Sequence, residues 1–415
     1  MALSSDGGRT WLAGFRTDYE TLFVERWSPY FGAVLLVMVI IGLMISGLFW
    51  GVFGGLKLWG DWFNTAIGLG PLVGVPEKLE TPLIHRLSLM NITLVIGAFC
   101  AALLSRKFLV SRPPKLEYIW AALGGSFMGL GATLAGGCTT GGFFTPVMHF
   151  SPAGWAMWGG LLLGTVIGLK LLLWTLDHIS WGMTAPAVMK PPAGILSIFP
   201  LLGLAVFVGI LAWSAQWYTS SDEKLTVRAI IILAGFAMGF IMHRARLCFA
   251  RAFREPFMTG EGEMTKAVIL GLAIGVPLAA LLFQAKVIDP YIAIPAVFWI
   301  GSLTGGVLFG IGMIFAGGCA SGSLWRMGEG HLKLWVAGFF FAWMGSTASG
   351  LLNKTGLITR EVTLEEYEAT KLGYQAYLPA MFDGWGWSLL IAGLFLLVWY
   401  ALVRYNESTE KFTVL

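Results

Sequence analysis

Charge is scarce in this sequence: Asp, Glu, Lys and Arg make up 12% of its 415 residues, against a hydrophobic share of 57%. Soluble domains carry about 25% charged residues. A water-covered enzyme is therefore excluded, because too few polar side chains remain to cover its surface. Neither sign dominates, since 27 Lys and Arg against 23 Asp and Glu leave a net charge of +4. Nucleic-acid binding draws on a strong basic excess, and none is present. Cysteine is sparse as well, at Cys100, Cys138, Cys248 and Cys319. No Cys-x-x-Cys pair occurs, which excludes a zinc ribbon and a thioredoxin-like motif. His85, His149, His178, His243 and His331 fall at no metal-ligand spacing, so no metal and no cofactor is assigned. The N-terminus lacks the short charged-then-apolar pattern of a cleaved signal peptide, so the first apolar run is expected to be retained.

What is abundant is apolar length and glycine, with 55 Gly in all. A helix needs about 20 apolar residues to cross the hydrocarbon. Runs of that kind lie near 31–53, 87–105, 118–135, 153–174, 196–214, 226–242, 265–283, 297–316, 333–352 and 386–403, ten in all. Trp50, Trp59, Tyr118, Trp120, Trp174, Trp217, Tyr218, Trp385, Trp387 and Tyr400 crowd their ends, as an aromatic belt would. The fold class is thus an all-α polytopic membrane protein. Arg106, Lys107, Arg112 and Lys115 in one loop, and Arg244, Arg246, Arg251, Arg254 and Lys266 in another, place both loops in the cytoplasm. The acidic stretch 354–384 then faces outward. Ten crossings put both termini inside, in a bacterial inner membrane.

Two stretches match at an offset of 181: GGSFMGLGATLAGGCTTG at 124–141 and GGVLFGIGMIFAGGCASG at 305–322, with nine of eighteen positions identical. A weaker match sets HRLSLMN (85–91) against HRARLCF (243–249), with Met90 where Cys248 falls. Five crossings separate the two GGC motifs. An odd number makes the repeats inverted, an architecture whose sites lie near the midplane at interrupted helices. The expected organisation is an N-terminal cytoplasmic segment (1–30), a first span and external loop (31–84), repeat one (85–195), connecting spans (196–242), repeat two (243–352), an external amphipathic segment (353–385), and a last span with a cytoplasmic tail (386–415). The charge rhythm of 358–378 predicts a helix within that external segment.

Each GGC predicts a broken or re-entrant helix. Gly136, Gly137, Gly317 and Gly318 weaken the helix by about 1 kcal/mol each and open its backbone. Thr139 and Thr140, or Ala320 and Ser321, can cap a new start. The free N–H groups and dipole of such a start suit an anion. Irregular backbone at membrane depth is tolerated where protein or a water-filled cavity surrounds it, so the two breaks are expected to line one shared path. A thiol at the break adds a soft contact and a weak S–H donor, which suits an oxyanion with a terminal sulfur better than phosphate. The plain alternative is a helix-packing notch with cysteine as a small hydrophobe. Arg244 and Arg246 read most simply as topology anchors, with anion steering as a second role. Cys100 has apolar neighbours only and reads as packing.

These AGGC-xx-G repeats, with IMHRARLCFARAFREPFMTGEGEMTKAVILG at 241–271, resemble the YeeE/YedE family of sulfur-transport membrane proteins across about 85–352. The YedE branch, associated with selenium metabolism, is the more similar. The resemblance implies an hourglass of helices with inward-pointing broken segments. It implies uptake of thiosulfate or a related sulfur or selenium anion along thiols that pass the ion by S–H hydrogen bonds without covalent chemistry. Cys138 and Cys319 match the family's GGC cysteines. Cys248, with Arg244, matches its Arg-x-x-x-Cys motif. The thiosulfate importers carry that cysteine in the other half, where this sequence has Met90. A small cytoplasmic sulfur-carrier protein is an implied partner. The competing readings are a membrane sulfurtransferase that forms a cysteine persulfide and a soft-metal transporter. The absence of paired cysteines speaks against the latter.

Overall fold

The computed structural model describes residues 14, 16–178, 187–189, 191–362 and 368–414. The long helices are α1 (Pro29–Ile45), α3 (Arg86–Leu104), α4 (Lys115–Leu134), α6 (Pro152–His178), α7 (Ala193–Tyr218), α8 (Glu223–Ala245), α10 (Glu263–Gln284), α11 (Ile300–Ala316), α13 (Leu332–Lys354) and α14 (Trp385–Thr409). Each overlaps one of the ten apolar runs. Among the described residues, nine helical stretches are long and apolar enough to cross a membrane. The pair Arg16–Val24 and Pro29–Ile45, bent by 77°, makes a tenth. Shorter helices sit between them: α2 (Phe53–Ala66), α5 (Thr139–Phe144 running into Thr145–Met148), α9 (Phe249–Met258) and α12 (Ala320–Glu329).

Glycine fixes how these helices cross. On α4 and α11, a Cβ at Gly131 would stand 2.6 Å from the Gly305 carbonyl oxygen, and one at Gly312 would stand 2.6 Å from that of Gly124. Residue 124 therefore meets 312 while 131 meets 305, so the two helices cross antiparallel with backbone on backbone. The same repeat positions recur on the outer flanks. Gly129 lies against the Phe341 carbonyl of α13, as Gly310 lies against the Leu161 carbonyl of α6. Likewise α3 packs on α8 as α10 packs on α1. A pseudo-twofold exchange thus relates α1–α6 to α8–α13, and the inverted repeat is built into the packing.

This exchange corrects the weaker sequence match. His85 caps the start of α3, whereas His243 lies in the last turn of α8. Cys248 caps α9, and the element related to α9 is α2, which starts after Val52. The counterpart of Cys248 is therefore Val52. Met90 sits inside α3, buried.

Two other expectations change. The run 31–53 is not one span: α1 stops at Ile45, and after a break α2 packs between α3 and α13. Its 14 residues carry Lys57 and Asp61, ion-paired at 2.8 Å, and so escape an apolar-run search. The expected helix at 358–378 is instead an antiparallel sheet of three short strands, Glu361–Val362, Glu368–Thr370 and Gly373–Tyr374, and residues 363–367 fall outside the described ones. Gly373 has φ +144°. That conformation suits glycine alone, and it turns the strand so that Tyr374 N donates to the Phe298 oxygen at 3.1 Å. A separate ribbon, Val110–Arg112 paired with Ala187–Met189, joins the loops before α4 and after α6. Those loops share one side, as two crossings require.

Candidate functional site

The two GGC motifs end their helices in the same way. Gly136 and Gly317 both adopt the left-handed conformation, with φ +68° and +80°, which glycine reaches without a Cβ penalty. Cys138 and Cys319 follow in extended conformation, with φ/ψ of −80°/−170° and −78°/177°. Each cysteine then serves as the N-cap of a short helix. The hydroxyl two residues on meets its sulfur: Thr140 Oγ1 is 3.0 Å from Cys138 Sγ, and Ser321 Oγ is 3.6 Å from Cys319 Sγ. Gly322 N donates to Cys319 Sγ at 3.3 Å. Cys138, Thr139, Thr140, Cys248, Cys319 and Ser321 are all fully buried.

The second glycines differ. A Cβ on Gly137 would fall 2.5 Å from the carbonyl carbon of Gly141, whereas one on Gly318 would meet nothing nearer than Ser323 Oγ at 3.4 Å. Gly137→Ala is expected to destabilise the protein by about 1–3 kcal/mol. Gly318→Ala should leave the melting temperature within a few degrees of wild type. Thermal unfolding of the two purified variants, side by side, checks the difference.

Cys248 joins Cys319. A Cβ on Gly322 would stand 2.7 Å from Cys248 Sγ and 3.1 Å from Cys319 Sγ, so the two sulfurs lie together beside Gly322. Cys138 does not join them. The antiparallel crossing of α4 and α11 puts the breaks at opposite ends of that pair. Gly136 lies against Pro295, just before α11, while a Cβ on Gly317 would stand 3.7 Å from Lys333 Nζ, which is ion-paired to Glu117 at the start of α4. What meets is the chain beyond each break: α5 and α12 are in contact. An aromatic bridge runs from α5 to the start of α9, with Trp50 6.4 Å from Phe144 and 6.1 Å from Phe249, ring to ring. Cys100 stays apart, its thiol donating to the Gly203 oxygen at 3.2 Å where α3 meets α7.

The basic loops gather around the Cys248–Cys319 end. Arg246 pairs with Glu329 at 2.6 Å, and His243 and His331 approach the same carboxylate at 3.5 and 3.4 Å. Arg246 and Arg326 flank the Trp325 ring, at 5.5 and 5.1 Å, a cation–π arrangement. Trp325 Nε1 donates to the Leu247 oxygen at 3.0 Å. Arg326 donates to the Gly317 oxygen at 3.0 Å. Arg254 and Arg326 are within electrostatic reach of the Cys248 sulfur. Arg244 is turned away to hold the N-terminal segment: it bonds the Glu25 oxygen and lies 5.9 Å from the Trp27 ring. Lys107 bonds the Val24 oxygen at 2.9 Å. Burial, then the charges of Arg244 and Arg246, hold its ammonium below the usual lysine range. Sequence reasoning missed Trp325, Arg326 and Glu329. The signal available was the Trp-Arg pair six residues after Cys319, which has no counterpart after Cys138.

Fold and site together define a polytopic membrane protein with two inverted repeats, whose interrupted helices present thiols to its interior. The chain belongs to the Sulphur transport family, which it matches over residues 10–167 and 244–414. It is 29% identical to the probable transporter YedE of Salmonella typhimurium over 337 residues, which cover 77% of this chain and 80% of that protein. It is 31% identical to the thiosulfate transporter TsuA of Spirochaeta thermophila over 197 residues, 44% of this chain and 56% of that protein. A second thiosulfate transporter TsuA, from Escherichia coli, is 34% identical over 126 residues, 29% of this chain and 35% of that protein. The family match skips 168–243, which contains α7, the least buried of the apolar spans.

Proposed function

We propose that the chain carries a small sulfur-containing oxyanion, thiosulfate in the first instance, across a bacterial inner membrane into the cytoplasm. The observation that carries this reading is the meeting of Cys248 and Cys319 at the starts of two short helices. Two thiols and two positive helix ends converge there, so a soft sulfur and a negative charge are welcome together. Cys138 marks the other half of the route. Gly136, Gly137, Gly317 and Gly318 leave the backbone bare for the ion, and Thr139, Thr140 and Ser321 supply hydroxyls. Arg246, with Arg254 and Arg326, draws the anion to the basic mouth, while Arg244 anchors the fold. Successive weak sites let an ion enter and leave faster than one deep site. The basic side is assigned to the cytoplasm by its Lys and Arg, where a small sulfur-carrier protein receives the product.

Uptake of labelled thiosulfate by cells lacking their own importer tests this. Excess unlabelled thiosulfate should compete, and sulfate should not, because it has no terminal sulfur to offer the thiols. Competition by a seleno-oxyanion would extend the reading to selenium. Uptake no greater than in empty-vector cells would refute it. The adjacency of Cys248 and Cys319 also favours a second reading, a sulfurtransferase that holds sulfur as a persulfide. A substrate-derived sulfur adduct on either cysteine in intact-mass spectra would support that one.

A further inference from the structure

Three fully or nearly fully buried donors near the thiols have no hydrogen-bond partner: Trp50 Nε1, Thr139 Oγ1 and Ser323 Oγ. Leaving a buried N–H or O–H unmade costs free energy. Native interiors satisfy nearly all such groups, and each exception asks for a cause. Thr139 directly follows Cys138. Ser323 lies one turn beyond Cys319, its oxygen 3.4 Å from where a Cβ on Gly318 would be. The Trp50 ring lies between Phe249, which directly follows Cys248, and Phe144 of α5. The loop that carries it is pinned on both sides: Thr145 Oγ1 donates to the Trp50 oxygen at 2.9 Å, and Asn91 Nδ2 donates to the Val52 oxygen at 2.9 Å. In the second repeat the thiol of Cys248 attends Cys319. In the first, the related stretch Trp50–Val52 has no thiol, and the indole N–H is the unsatisfied donor it supplies.

We propose that Trp50 and Ser323, with Thr139, are the oxygen-binding donors of the route, one beside each pathway cysteine. The inference rests on the transport reading and deepens it. Oxygens take strong N–H and O–H donors; terminal sulfur takes weak S–H donors and soft contacts. A route that alternates the two kinds selects an ion that is hard at one end and soft at the other. Sulfate lacks the soft end and sulfide lacks the hard one.

An unpartnered donor has a diagnostic property. Removing it should cost transport but not stability, because the folded protein loses an unmet group rather than a bond. Trp50→Phe and Ser323→Ala are each expected to raise the half-saturation concentration for labelled thiosulfate about tenfold, at equal membrane abundance. Purified Ser323→Ala should melt no earlier than wild type, whereas Trp50→Phe also shrinks a fully buried ring packed on Phe144 and Phe249 and is expected to melt a few degrees lower. Trp155→Phe is the control: its indole N–H is also unpartnered, but its ring rests on Phe395 of α14, so uptake should not change. Unchanged half-saturation in both test variants would overturn the assignment, as would lost uptake accompanied by a lower melting temperature in Ser323→Ala. If wild type neither takes up thiosulfate nor gains thermal stability from it, the transport reading falls and this one falls with it.

Discussion

Cys319→Ala is expected to lower thiosulfate uptake about a hundredfold, the scale of one hydrogen bond to a charged group, while the protein still reaches the membrane. Its sulfur has three neighbours: Gly322 N at 3.3 Å, Ser321 Oγ at 3.6 Å, and the Cys248 thiol. Alanine removes all three contacts and the N-cap of α12, at a stability cost of about 1 kcal/mol. A family member of ordinary stability survives that. Cys319→Ser separates the two roles. A hydroxyl caps a helix at least as well, so melting should return to the wild-type value. Uptake should stay low, because the hydroxyl is a hard donor where the ion presents sulfur. Normal uptake in the serine variant would show that sulfur has no special part there.

The second large effect is structural. Gly131→Ala and Gly312→Ala each place a methyl 2.5–2.6 Å from backbone across the α4–α11 crossing, at Phe309 N and Gly305 O in one case and at Gly124 O and Met128 N in the other. Backbone cannot swing aside as a side chain can, so the helices must part. A cost of about 1–3 kcal/mol per methyl follows from overpacking. Combining the two should be worse than either alone, since they lie on one interface related by the pseudo-twofold exchange. Valine at either position should leave little folded protein. Melting curves in detergent and yield from the membrane fraction are the measurements, and an unshifted Gly131→Ala would contradict the packing described.

Much of this arrangement is legible from residue order. Nine identities at constant offset reveal the repeat, and the odd number of crossings between its copies reveals the inversion. The left-handed conformations of Gly136 and Gly317 are what two glycines before a cysteine suggest. Partner choice is less legible. Cys319 meets Cys248, 71 positions away by number, because α9 and α12 both start beside Gly322, and nothing in either segment announces the other. The break after Ile45 hides because Gly47, Trp50 and Gly51 interrupt a run that stays apolar throughout, so hydropathy cannot see it. α2 hides for the opposite reason, since Asp61 and Lys57 make it look like a loop. Asp61 is tolerated because Lys57 and Ser346 each reach one of its oxygens, at 2.8 and 2.6 Å, a pairing that membrane depth demands. Trp50 and Ser323 could not be singled out at all, because an unmet donor is a property of the surroundings and not of the residue.

The exchange that relates α1–α6 to α8–α13 would, if perfect, present a travelling ion with the same sequence of wells from either face. Substituting Val52 for a sulfur at one of the two related positions breaks that equality. Such an imbalance cannot push anything uphill, but it shifts where along the passage an occupant spends its time. On the proposed route, dwell would be longest at the doubled thiol, next to Arg246 and the basic loops. A consumer stationed there would find its cargo already waiting on its own side.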